Sequence, residues 1–364
     1  MSPAHGPLAG IKVIEFAGVG PAPFAGMMLA DMGATVARID RHAPKALDGG
    51  AVDLLTRGRP TVFLDLKSEP DRARCLKALD QADVLIEGFR PGVMERLGLG
   101  PDVIHARNPR LVYGRVTGWG QAGPLATAAG HDINYIGLTG ALHAIGAADG
   151  APAPPLNLVG DFGGGGMLLA FGVVCAILQA RATGRGQVID AAMVDGTSLL
   201  MAQVYGLRAS GMWPGARGTN TLDGGAHFYR CYPCADQRWV AVGAIEPRFY
   251  QALLSGLGLN DPELSEQWDR ARWPTFTTRL AQAFRTRTRD AWVDHFAGTD
   301  ACVTPVLEID EVPAHPHHQA RKAFRPRADA VEPAPAPHFS GFPPSAGESP
   351  SDDEVLAAFG LHQP

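Results

Sequence analysis

Short runs rich in β-branched residues alternate with helix-period segments through the first 190 residues, and few folds accept that order. Candidate strands are Ile11–Phe16, Thr35–Ile39, Thr61–Leu64, Val84–Ile86, Leu111–Val116 and Gln187–Ala191. The apolar spacing between them predicts helices at roughly 22–32, 69–80, 131–145 and 167–182. Strand and helix in strict alternation imply an α/β fold, a parallel sheet with helices on its faces. Ser68-Glu-Pro-Asp71 has the form of a capping box ahead of the second helix, and Pro70 is tolerated in a first turn.

Beyond residue 191 the pattern changes. A helix over 192–209 runs into the polar, glycine-rich stretch Gly211–Gly225, so that 192–227 reads as a linker. A hairpin follows over Phe228–Ala244 with its turn near Ala235-Asp236, then helices near 247–257, 275–287 and 289–297. Residues 228–311 are therefore expected to form a smaller α+β domain after the large domain of 1–191. From Val312 to Pro350 the chain is proline-rich, an extended return segment whose linker part is 312–334, and a short helix over Asp352–Phe359 closes it.

Composition narrows the partners. The 364 residues carry a net charge of −5 with a pI near 6.2, which gives no general attraction to nucleic acid or to an anionic membrane. The apolar run 167–180 holds Gly172 and Gln179, stops at Arg181, and is too short to span a bilayer. Five scattered cysteines do not form a disulfide framework, and the start MSPAHGPLAG lacks a signal-peptide pattern, so the expected location is the cytoplasm.

Several motifs carry chemistry. Gly18-Val-Gly20-Pro-Ala-Pro after the first strand, with Asp40 about 20 residues on, imitates a dinucleotide fingerprint, but Pro23 stands where the third glycine belongs. Asp161-Phe-Gly-Gly-Gly-Gly166 opens an apolar helix, where Asp161 is either a cap or part of a site. In Gly130-His131-Asp132-Ile-Asn-Tyr135 a histidine stands at a helix start, either capping it or exchanging protons near neutral pH. Cys231-Tyr-Pro-Cys234 has no second pair for zinc, and His315, His317 and His318 have no carboxylate at ligand spacing, so no metal site is expected. Arg38, Arg41, Arg57, Arg59, Lys67, Arg90 and Arg96 recur at or just past strand ends, where ligands of open α/β sheets bind, and together suggest a phosphate-rich ligand.

Seven ordered blocks, among them IKVIEFAGVGPAPFAGMMLADMGATVARIDR ending at 41, DVLIEGFRPGVMERLGLGP at 83–101, GHDINYIGLTGALHAIG at 130–146, PPLNLVGDFGGGG at 154–166 and VAVGAIEPRFY at 240–250, resemble the family III CoA-transferases. Within that superfamily the resemblance is to the α-methylacyl-CoA racemases. It implies a Rossmann-like large domain completed by about 335–364, a small domain, and an interlocked homodimer whose active sites are shared between chains. The implied substrate is a 2-methylacyl-CoA thioester, with no cofactor beyond the CoA it carries.

By the same resemblance His131 and Asp161 serve opposite faces of the α-carbon, and Glu246 is the partner-chain acid that pairs with the histidine. The amide of Asp132 meets the thioester oxygen. Arg41, Arg57, Leu64, Lys67, Gly88, Arg90 and Arg96 match positions near CoA. The alternative within the superfamily is a CoA-transferase, in which the aspartate at 161 is a nucleophile forming an acyl-aspartyl intermediate. The Gly-His-Asp-Ile-Asn-Tyr block is the racemase pattern, and an NAD-dependent oxidoreductase is disfavoured by Pro23.

Overall fold

The computed structural model describes residues 6–41, 53–327, 330–342 and 351–361. The last part of the proline-rich stretch, 343–350, lies outside them. The described chain forms two compact units, one of 1–139, 156–201 and 317–364, the other of 140–155 and 202–316.

In the first unit six strands, β1 (Lys12–Phe16), β2 (Thr35–Asp40), β3 (Thr61–Phe63), β4 (Val84–Glu87), β5 (Val112–Thr117) and β6 (Val188–Ala192), form one sheet in the order β3-β2-β1-β4-β5-β6. Every pairing is parallel. β4 and β5 are buried at every position, the mark of strands covered on both faces. Ile14, Phe16, Ile39, Leu85 and Tyr113 point to one face, where they pack with Val355, Leu356, Phe359 and Leu361 of the C-terminal segment. Val13, Val36, Val84, Ile86 and Val116 point to the other, against Pro21–Asp31 and Leu168–Thr183.

Helix expectations change at several places, and the helix expected over 192–209 divides into Met193–Leu200 and Ala202–Ala209. Ser68 makes no side-chain cap bond; Asp71 turns back instead to accept the Asp65 amide at 2.9 Å. The helix expected over 131–145 breaks into Asp132–Gly137 and Ala141–Ala144, because Gly140 adopts a left-handed φ of 74°. The apolar helix begins earlier than expected. A ten-residue π-helical segment, Leu158–Met167, runs straight into Leu168–Thr183, giving 26 residues long and apolar enough to cross a membrane by length and composition. In this chain its inner face packs on the sheet: Leu169 and Val173 lie against Gly114 of β5, where a Cβ would stand 2.9 Å from Leu169.

The second unit holds an antiparallel sheet of β7 (Tyr229–Pro233), β8 (Trp239–Gly243) and β9 (Val303–Pro305), with Pro247–Leu257, Trp273–Phe284 and Arg289–Phe296 on one face. Phe228, Tyr232, Val240, Phe276, Phe284 and Trp292 form its core. The stretch read as a linker is tied down here. Asp223 accepts from the amides of Gly218 and Asn220, and Arg217 donates to the carbonyls of His143 and Ala147. The return segment, expected to be extended, contains one further hairpin, β10 (Phe324–Arg327) with β11 (Ala330–Pro333).

Candidate active site

The strand order reverses beside β1: the chain steps outward to β2 and β3, then crosses back to β4 on the other side of β1. In open α/β sheets that switch point leaves a crevice at the carboxyl ends of the strands. The loops that meet there are Ala17–Gly20 after β1 and Gly88–Arg90 after β4. Gly88 sits close to the helix that follows β1, since a Cβ on it would lie 3.3 Å from Cβ of Ala22.

Asp161 reaches this crevice from the π-helical segment. Gly20, at φ 76°, backs directly onto it: a Cβ there would stand 3.0 Å from Oδ2 of Asp161. The segment fits only because it is glycine-rich. A Cβ on Gly165 would meet Met193 at 2.8 Å and Pro21 at 3.0 Å, and one on Gly164 would meet the amide of Thr197 at 2.7 Å. π-helical stretches inside helices are frequent at functional sites, and here the segment carries the carboxylate. Asp161 therefore sits inside a helical segment, and its carboxylate is not the cap of that helix.

His131 and Asp132 enter from the next element. The His131 amide donates to Oδ1 of Asn134 at 3.0 Å, which fixes the start of the short helix Asp132–Gly137. The imidazole is exposed, whereas Asp132 is buried. Oδ1 of Asp132 accepts the backbone N–H of Asp161 at 2.7 Å, so the side chain of one motif holds the backbone of the other. Burial holds the Asp161 carboxyl above the usual carboxylate range; Asp132's charge adds to this, while the Asn157 amide, 3.2 Å away, and the charge of His131 oppose it. Tyr135 closes the floor, its ring edge-on to Trp119 at 4.8 Å and its hydroxyl donating to the Gly130 carbonyl. Burial raises the Tyr135 hydroxyl, as does the charge of Asp161, while Arg90 pulls it down, so Arg90 is felt in the same crevice.

The remaining sequence candidates separate into two kinds. Arg41, Lys67, Gly88, Arg90 and Arg96 are exposed at or beyond the carboxyl ends of β2, β3 and β4. Arg57 and Leu64 are not open in this way. The Arg57 guanidinium is engaged by Asp31 at 3.0 Å and by the Pro333 carbonyl at 2.7 Å, and Leu64 packs in the core. Arg38 and Arg59 also turn inward, both to the fully buried Glu15, so of seven basic residues at strand ends three serve internal ion pairs. Glu246 stands in the second unit as the exposed N-cap of Pro247–Leu257, where its charge helps to raise the Cys302 thiol.

Sequence reasoning missed the support under the β4 loop. Arg115 of β5 donates to Glu87 and to Glu95, each at 2.8 Å, and the second oxygen of Glu87 accepts the Phe89 amide at 2.7 Å. These bonds set the loop that presents Arg90 and Arg96. The available signal was charge inside the strand runs, VLIE and VYGRVT, at positions where a covered strand has no use for an unpaired ion.

Among the described residues no three His, Cys, Asp or Glu side chains are grouped to hold a metal ion. Cys231 is exposed and Cys234 is buried in the core, where its thiol is pushed up to about 11, so the CxxC pair does not present two ligands to one point. A separate cavity of about 710 Å³ opens in the second unit, lined by Tyr229, Cys231, Gly243 and Cys302 among others. It contains no pair of opposed acid and base groups.

The sheet is that of a doubly wound α/β protein, and the chain belongs to CoA-transferase family III, matched over residues 8–354. It is 45% identical to the α-methylacyl-CoA racemase of Mus musculus over 98% of this chain and 94% of that protein. The Homo sapiens α-methylacyl-CoA racemase is 44% identical over 97% and 94%. The crystal structure of the hypothetical protein Rv3272 from Mycobacterium tuberculosis superposes with a TM-score of 0.80 at 26% identity, covering 99% of this chain and 100% of that one.

Proposed function

We propose that this chain is a 2-methylacyl-CoA racemase, interconverting the (2R) and (2S) thioesters by 1,1-proton transfer. The observation that carries the reading is identity of 44–45%, over nearly the whole chain, to two α-methylacyl-CoA racemases. The crevice supports it by setting a histidine and a carboxylate on hydrogen-bonded neighbouring segments.

One of the two groups removes the α-proton; the C–H electron pair passes into the enolate, and negative charge collects on the thioester oxygen. The amide of Asp132, a first-turn N–H with no intrahelical acceptor, donates to that oxygen, and losing such a donor typically costs about 3–4 kcal/mol. The other group then delivers a proton to the opposite face, which inverts the carbon. A carboxyl held above its ordinary range is better matched to this exchange near neutral pH.

The family resemblance adds the rest. Two copies interlock, and Glu246 of the partner subunit pairs with His131 and orients it. Arg41, Lys67, Arg90 and Arg96 take the phosphates of CoA, and Gly88 admits the chain of the cofactor arm. Arg57 and Leu64 shape the wall from inside, with Arg57 held by Asp31. The CoA moiety enters as part of the substrate and no resident cofactor is invoked.

The test is to supply pure (2R)-2-methylacyl-CoA with no acceptor acid and resolve the epimers. Formation of the (2S) epimer supports a racemase. No epimer, together with CoA transfer once an acceptor acid is added, favours the transferase chemistry with Asp161 as nucleophile.

A further inference from the structure

The side chain of Asp132 has no place in the mechanism above, which uses only its amide. Yet Asp132 is 6% exposed, and one of its side-chain oxygens, Oδ2, has no hydrogen-bond partner among the described residues. A buried carboxylate oxygen without a donor is costly and calls for a reason. The other oxygen accepts the Asp161 amide at 2.7 Å. The approach is close enough that Gly160, the residue before Asp161, has no room for a Cβ, which would fall on Oδ1 of Asp132.

We propose that Asp132, through its side chain, is the positioning residue for Asp161: one buried carboxylate anchors the segment that carries the other. The inference rests on the racemase reading and assigns a second role within the same site. The geometry has three parts that agree. The bond fixes the backbone of Asp161, Gly160 lets the two segments meet, and the short distance brings like charges together.

The electrostatic surroundings are few. His131 faces Asp161 from the neighbouring helix start, and Asn157 donates to it from its own segment. Tyr135 senses the charge of both aspartates. The helix Pro21–Asp31 presents Pro21 and the ring of Phe24, stacked on Phe162 at 4.7 Å, and the charged residue of Met193–Leu200, Asp195, is exposed. Asp132 is thus the negative group acting on Asp161, and it adds to what burial already does.

Two substitutions separate the bond from the charge. Asp132→Asn keeps an oxygen to accept the Asp161 amide and removes the charge. For the epimer whose α-proton Asp161 abstracts, the acid limb of the pH profile of α-proton exchange then moves down by roughly 0.5–1 pH unit, with kcat above that of the alanine variant. Asp132→Ala removes the bond as well, and kcat falls by roughly tenfold to a hundredfold with a smaller change in KM.

A kcat higher in Asp132→Asn than in Asp132→Ala, with the limb displaced, supports the assignment. An unshifted limb in Asp132→Asn overturns it, and so does wild-type kcat in Asp132→Ala. If Asp132→Ala does not fold, the Asn variant decides alone. Absence of exchange in the wild-type enzyme is a different outcome: it overturns the racemase reading and this inference with it.

Discussion

Gly20 lies against the carboxylate of Asp161, so close that a single added carbon would stand 3.0 Å from Oδ2. The first turn after the first strand thus forms one wall of the proposed reaction centre, although 140 residues separate the two.

Gly20→Ala is expected to harm activity more than stability. The φ of 76° with ψ of −114° lies outside the left-handed helical well and costs an alanine about 1–3 kcal/mol. The new methyl also presses on the group whose placement matters most, and a displacement of about 1 Å can cost on the order of a hundredfold in rate. Thermal melting and kcat measured on one preparation check this; a large fall in melting temperature with normal turnover would contradict it.

His131→Ala and Asp161→Asn are each expected to abolish most epimerisation while leaving CoA binding intact. Neither side chain supports the core, since the imidazole is exposed and the Asp161 carboxyl is only half-buried. Calorimetric titration with CoA and chiral analysis of product separate the two effects. Near-normal turnover in either variant removes the role assigned to that residue.

How far the sequence reached can be judged from these elements. The central parallel strands were legible because covered strands are nearly continuous apolar runs, as in β4 and β5. β9 was not, being three residues ending in Pro305, and β10 and β11 contain Pro326 and Pro333 in a stretch whose composition argues for extended chain. The π-helical turn left no sign, since apolar spacing does not separate it from an ordinary helix. His131 and Asp161 stood out only as members of motif blocks. The inward turn of Arg38, Arg57 and Arg59 was invisible because their partners, Glu15 and Asp31, lie far along the chain.

The Glu15–Arg59 pair yields a prediction of its own. Both side chains are buried, and Gly26 faces them with no room for a Cβ. Arg59→Met leaves Glu15 with Arg38 at 3.3 Å as its remaining counter-charge, and breaking a buried pair typically costs about 3–5 kcal/mol. Urea unfolding at neutral pH checks it; an unchanged midpoint would mean that Arg38 alone suffices.

His227 makes stability fall in acid. It is fully buried among Phe228, Tyr250 and Phe276, and burial, followed by the charge of Arg230, lowers its imidazole to about 4 from an ordinary 6.5. Below pH 6.5 the unfolded chain binds a proton that the folded chain refuses, so stability decreases as pH falls from 6.5 to about 4 and levels below that. The full effect is on the order of 3 kcal/mol. His227→Phe is expected to flatten the slope of unfolding free energy against pH by about one proton in that window. An unchanged slope assigns the acid sensitivity elsewhere.

The most direct measurement is proton NMR of (2R)-2-methylacyl-CoA with the enzyme in D₂O and no acceptor acid. Loss of the α-proton signal as both epimers form is the predicted result, with no second epimer formed by His131→Ala. Persistence of the α-proton over many enzyme equivalents would contradict proton transfer at this site.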